Sequence, residues 1–97
     1  MATKSYLVYS KDPSVSPAET LTNFRGFLQS KGEEIPIFPT SCYNEWSVQI
    51  YHLKSGITAV LESPSMAIER VTFSGKIKDI ERIVSETRRI STLEERK

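Results

Sequence analysis

A single cysteine, Cys42, excludes a disulfide within the chain and any multi-cysteine metal site. There is also only one histidine, His52, so zinc has no ligand set to draw on, and neither a metal nor a cofactor is expected. Charge of one sign is lacking too. Thirteen Lys and Arg stand against twelve Asp and Glu, for a net charge of +1, which argues against a surface built as a general trap for nucleic acid or anionic membrane. No stretch approaches the ~20 apolar residues of a spanning helix, and the N-terminal Met1–Tyr9 has no signal-peptide apolar run. The expectation is a cytoplasmic protein with no membrane partner.

What is present describes a small globular chain. Hydrophobic residues make up 38% and charged residues 26%, neither the composition of a disordered segment nor that of a membrane protein. A chain of 97 residues forms one domain, here 1–97, and buries only about 60 to 65% of its unfolded surface, enough for one layer of helices on one sheet. The basic residues lean toward the C-terminal half: residues 1–50 carry four basic and five acidic side chains, and 51–97 carry nine and seven.

The most legible pattern runs from Glu45 to Glu62. Trp46, Val48, Ile50 and His52 alternate with Ser47, Gln49, Tyr51 and Leu53; after Lys54-Ser55-Gly56, Ile57, Ala59 and Leu61 alternate with Thr58, Val60 and Glu62. This predicts a β-hairpin with one apolar and one mixed face. A two-residue turn at Ser55-Gly56 would pair Ile50 with Leu61 and His52 with Ala59, keeping the apolar residues together. A three-residue turn would pair Ile50 with Val60 and His52 with Thr58, so the two-residue register is expected.

Around the hairpin, Lys4–Ser10 reads as a strand. Ser16-Pro17-Ala18-Glu19 is a capping box with proline at the first helical position, opening a helix whose Leu21, Phe24, Phe27 and Leu28 share a side. Ser30-Lys31-Gly32 should stop it with a C-terminal glycine cap. The prolines of Glu34–Pro39 suit an edge strand, and Ala67–Phe73 a last strand with Ala59 opposite Val71 and Ile57 opposite Phe73. From Lys76 a second helix presents Ile77, Ile80, Ile83, Val84, Thr87 and Ile90 on one face. Ser91-Thr92-Leu93-Glu94 repeats the capping-box pattern, so residues 91–97 read as a short third helix or a frayed tail. The fold class expected is α+β: a two-layer sandwich of one curved antiparallel sheet, about five strands, with two helices on one face, in the order β-α-β-β-β-β-α. That element order resembles a single repeat of the TATA-binding-protein-like fold, in which two helices cover one face of a curved sheet and the other stays open. The resemblance rests on topology, with one repeat in place of two and no sequence motif of that family. Function does not travel with it.

Four sets of residues are candidates for carrying chemistry. The open sheet face should bear Ser47, Gln49, Tyr51, Thr58, Val60, Arg70 and Thr72, with Gln49, Tyr51, Thr58, Val60, Arg70 and Thr72 as the binding face; Tyr and Arg are residue types that dominate binding hot spots. Ser74-Gly75-Lys76, passing from strand to helix, has the ingredients of an anion site but not of a Walker A loop, since Arg70 and Ile77 stand where glycine and Ser/Thr are needed. The ordinary alternative makes Ser74 a helix N-cap. Lys78, Arg82 and Arg89 fall on one side of the second helix as a basic stripe, interleaved with Asp79, Glu81 and Glu86, a pattern that more often means only a solvated face. Cys42 and His52 are of types that pair as nucleophile and base, but ten residues of strand span about 33 Å, too far for a dyad. No catalytic residue is expected. The reading is a small non-catalytic binding module that meets a protein partner or a second copy through its open sheet face or an edge. The alternative is nucleic-acid binding through Arg70, Lys76 and the basic stripe, and a small enzyme acting through Cys42 comes third.

Overall fold

Eight elements follow one another in the computed structural model, which describes residues 1–35, 46–64 and 70–96. They are β1 (Ala2–Ser10), α1 (Pro17–Lys31), β2 (Gly32–Ile35), β3 (Trp46–Leu53), β4 (Thr58–Pro64), β5 (Arg70–Gly75), α2 (Ile77–Thr87) and β6 (Ser91–Arg96). The strands form one sheet in the order β2-β3-β4-β5-β1-β6, every neighbouring pair antiparallel. Both helices bury their apolar sides in one cluster with Tyr6, Val8, Tyr51, Ala59, Leu61, Val71 and Phe73 from a single sheet face. The result is a two-layer α+β domain whose second sheet face has no helix on it among the described residues.

The start of α1 follows from its sequence. Ser16 holds extended backbone at φ −70°, ψ 156°, and its Oγ accepts the Glu19 amide at 3.2 Å, with Pro17 next in line where a missing N–H costs nothing. Thr20, Leu21, Phe24 and Leu28 are the buried stripe. The end of α1 differs from the expected glycine cap. Gly32 is extended, at φ −178°, and is already the first residue of β2; the Lys31 carbonyl accepts a 2.9 Å hydrogen bond from the Lys54 amide at the tip of the β3–β4 hairpin. A long-range bond replaces the local one.

The hairpin register is the principal correction. Leu53 N–H donates to the Ile57 carbonyl at 2.8 Å and Gly56 N–H to the Leu53 carbonyl at 2.9 Å, closing a three-residue loop, Lys54-Ser55-Gly56. Gly56 sits at φ +93°, the left-handed position that ends such a loop. Ile50 therefore pairs with Val60 and His52 with Thr58, one residue away from the expected register. A slip of one turns every β3 side chain to the other face. Tyr51 and Leu53 enter the core, while Val48, Ile50 and His52 face away from the helices. The side chain of Trp46, expected in the core, lies outside the described residues.

Two further differences concern the last strands. β5 pairs Phe73 with Ala59 and Val71 with Leu61, two residues from the expected alignment, which leaves its faces as anticipated. Ser91–Arg96, expected as helix or tail, is β6, paired with β1 from Ser10–Ser91 to Ser5–Arg96. Ser91 and Leu93 turn inward, 2% and 8% exposed, and Thr92 and Glu94 turn outward, so the segment has strand period; ladder bonds to β1 outweigh a local capping box. The short β2 and this charged β6 form the two sheet edges. β2 overlaps the expected edge strand at Glu34 and Ile35; residues 36–39 of that expectation lie outside the described residues.

Two substitutions in α1 test its boundaries. Ser16→Ala should lower stability by about 1 kcal/mol, whereas Gly26→Ala, with no atom within 4 Å of the added Cβ, should raise it by about 0.5 to 1 kcal/mol. Chemical denaturation reads both, and shifts of the same sign would place the helix start or the glycine environment elsewhere.

Candidate interaction face

Register alone determines which side chains share the uncovered face. One row across the sheet runs Ile35, Ile50, Val60, Thr72, Ser5 and Arg96; the next runs Val48, Glu62, Arg70, Leu7 and Glu94; a third runs Glu33, His52, Thr58, Ser74 and Thr3. Tyr9 and Thr92 extend it at the β1–β6 end. The β2–β3–β4 side is rich in aliphatics, with Ile35 40% exposed at the edge; Tyr9, 47% exposed, marks the other side. Between them lies a band of hydroxyls held to one another, Ser5 to Thr72 at 2.8 Å and Thr3 to Ser74 at 3.3 Å.

Of the six expected binding-face residues, Thr58, Val60, Arg70 and Thr72 are together here, all half-buried. Gln49 and Tyr51 are on the opposite, helix-covered face, because the register slipped by one. In their place the face gains Val48, Ile50 and His52, together with Leu7 and Tyr9 of β1. Gly56 is compatible with this placement, since it suits the left-handed last position of a three-residue loop, but it suits a two-residue turn as well and so does not by itself choose the register.

Arg70 is the central feature. It stands directly across from Glu62 on β4 and from Leu7 on β1, and its Nε is shielded from solvent with no hydrogen-bond partner. No ion pair joins it to Glu62: the pairs among the described residues are Lys4–Glu95, Arg25–Glu34 and Lys31–Glu86. A guanidinium on a half-apolar floor is the kind of group that anchors an interface, since desolvation strengthens any carboxylate contact made to it.

The expected anion cluster is not assembled. The Ser74 side chain points to the open face and bonds Thr3, and Lys76 itself is the α2 N-cap, without a side-chain capping bond. Gly75 is explained by packing: its φ is +152°, and a Cβ there would sit 2.5 Å from Ile57 Cδ1. Lys78 is exposed on α2; Arg82 lines a groove of about 240 Å³ shared with Lys31, Lys54, Asp79 and Glu86, where both charge signs are present. Arg89 lies beyond the end of α2, in the turn leading to β6. His52 is exposed, while Cys42 lies outside the described residues. Among the described residues no group of three His, Cys, Asp or Glu could hold a metal, and no helix is long and apolar enough to cross a membrane.

Tyr51, removed from the open face, has a structural task. It is fully buried; its hydroxyl receives a 3.4 Å hydrogen bond from Arg25 Nε, and Arg25 in turn reaches Glu34 at 3.5 Å, tying α1 to β3 and β2. Burial pushes its phenol pKa up, against the opposing pull of the Arg25 hydrogen bond, and burial likewise raises that of Tyr6. A raised phenol pKa means that the folded state holds the proton more tightly than the unfolded chain. The stabilisation is complete below the unfolded value near 10 and is lost as pH climbs through the folded one. Tyr51→Ala should cost about 3 to 5 kcal/mol, as for other buried aromatics, instead of the near-zero change of a surface site. Tyr51→Phe should keep most of the stability at pH 7 and lose less of it above pH ~10, read by denaturation at neutral and alkaline pH. An unchanged alkaline slope would detach this phenol from the pH dependence. Comparison with known protein families, with curated proteins and with solved structures finds no match for this chain.

Proposed function

We propose that this protein is a small non-catalytic interaction module whose working surface is the open sheet face. The observation that carries this reading is the placement of both helices on one face, which leaves Val48, Ile50, Val60 and Leu7 around Arg70 on the other with no element packed over them among the described residues. An uncovered antiparallel face is ordinarily polar. Here Ile35, Val48, Ile50 and Val60 sit side by side on β2, β3 and β4, and an apolar patch of this kind marks contact with another macromolecule. The charges on the face are of both signs, Arg70 and Arg96 with Glu33, Glu62 and Glu94, which favours a protein partner over a nucleic acid; phosphate recognition needs one sign. The alternative through Lys78, Arg82 and Arg89 has less support, since Asp79 and Glu86 share the groove of Arg82 and Arg89 stands off the helix.

Immobilised protein tests the reading against a native extract, with Ile50→Asp and Val60→Asp as face variants and Ile77→Asp, on the exposed start of α2, as the control. A protein retained by wild type and by the control, but lost by at least ten-fold with both face variants, is the expected result. Equal retention by all three, or loss with the α2 control alone, would move the working surface off the sheet. Nucleic-acid binding at sub-micromolar affinity near physiological salt, abolished by reversing Lys78, Arg82 and Arg89, would replace the reading altogether.

A further inference from the structure

We infer that the open face takes a second copy of this chain, packed sheet to sheet about a two-fold axis that runs parallel to the strands between β4 and β5. The inference rests on the interaction-module reading and names its partner. It begins from the register: Glu62 and Arg70 are directly opposed on adjacent strands, as are Val60 and Thr72. A two-fold axis between the two strands exchanges their positions. Each copy's Glu62 then lies over the other's Arg70, twice by symmetry, and each copy's Val60 over the other's Thr72 methyl group. One strand further out, β3 of one copy covers β1 of the other, which sets Val48 over Leu7.

This arrangement answers what the monomer leaves open. Glu62 and Arg70 form no ion pair with each other although they are cross-strand neighbours, and the guanidinium Nε has no partner among the described residues. In the dimer both charges meet an opposite charge in a region dried by flanking aliphatics, where such a pair is strongest. No like charges are superposed in these two rows. A face with mixed signs is complementary to itself, whereas a face of one sign would repel its copy. Breadth is adequate as well. Six strands at about 4.8 Å spacing and about 20 Å of strand give on the order of 600 Å² of flat area, which side-chain relief brings near the ~800 Å² per partner of a standard interface. Packed sheets cross at about 30°, so alignment is tightest at the axis, where Glu62 and Arg70 are.

Charge exchange gives a test that only contact between copies can satisfy. In sedimentation equilibrium wild type should be dimeric, and Arg70→Glu and Glu62→Arg, each alone, should weaken association at least ten-fold. An equimolar mixture of the two single variants should recover the dimer, one copy of each, because every cross-copy pair is then opposite in charge. Each variant still carries like charges at these two positions within its own chain, so relief inside a chain cannot produce the recovery. If either variant fails to fold, wild type alone still decides: on dilution, the NMR shifts should change most at Leu7, Val48, Val60 and Arg70. A wild type that is monomeric at several hundred micromolar, single variants that remain dimeric, a mixture that stays monomeric, or dilution shifts centred on α1 or α2 would each overturn the inference. A monomer that still retains an extract protein through Ile50 and Val60 would refute the second copy alone and leave the interaction-module reading standing.

Discussion

The length of one loop decides which surface this protein shows to its surroundings. The β3–β4 connection is a loop of three residues ending in Gly56 at φ +93°, and from that loop the pairing of Ile50 with Val60 follows without further choice. Because strand side chains alternate, the loop length assigns Tyr51 and Leu53 to the helices and Val48 and Ile50 to the opposite face. The core, the Arg25–Tyr51–Glu34 link and the row through Arg70 all depend on it. A two-residue turn would have placed His52 beside the helices and Tyr51 outside.

Much of the architecture was legible from local patterns. The Ser16 cap, the Ile80, Ile83, Val84 and Thr87 part of the α2 stripe and the faces of β4 and β5 each rest on a signal with one reading, whereas Ile77 and Ile90, expected on that stripe, are exposed at and beyond the ends of the helix. β3 is different because both of its faces are apolar: Val48 and Ile50 on one, Tyr51 and Leu53 on the other. Periodicity could not choose between them, and the choice that grouped apolar residues was the wrong one. The outer face of β3 is apolar although no helix packs on it among the described residues, a situation that core-seeking patterns do not consider. The site was half legible for the same cause: Thr58, Val60, Arg70 and Thr72 belong to strands with an unambiguous inner face, whereas Gln49 and Tyr51 took the inverted assignment of β3.

β6 was illegible for a separate reason. Ser91-Thr92-Leu93-Glu94 is a sound capping box, but a cap acts over one turn, and its roughly 1 kcal/mol is small beside the ladder that β1 offers along its free edge. Long-range pairing is invisible in a window of four residues. The same ladder places Leu93 against the edge of the core beside Val8, which a reading of the segment as short helix or frayed tail could not anticipate.

β1 has both of its sheet neighbours late in the sequence, β5 and β6, with Ala2 across from Gly75 and Ser5 across from Arg96. A chain emerging from the ribosome therefore exposes its first strand, with Val8 and Tyr6 unburied, until residues 70–96 have followed. The β2–β3–β4 meander can form early and wait, but the sheet closes only when residues 2–10 meet residues 70–96. Such non-local pairing favours slow folding, with the apolar side of the first strand exposed in the meantime.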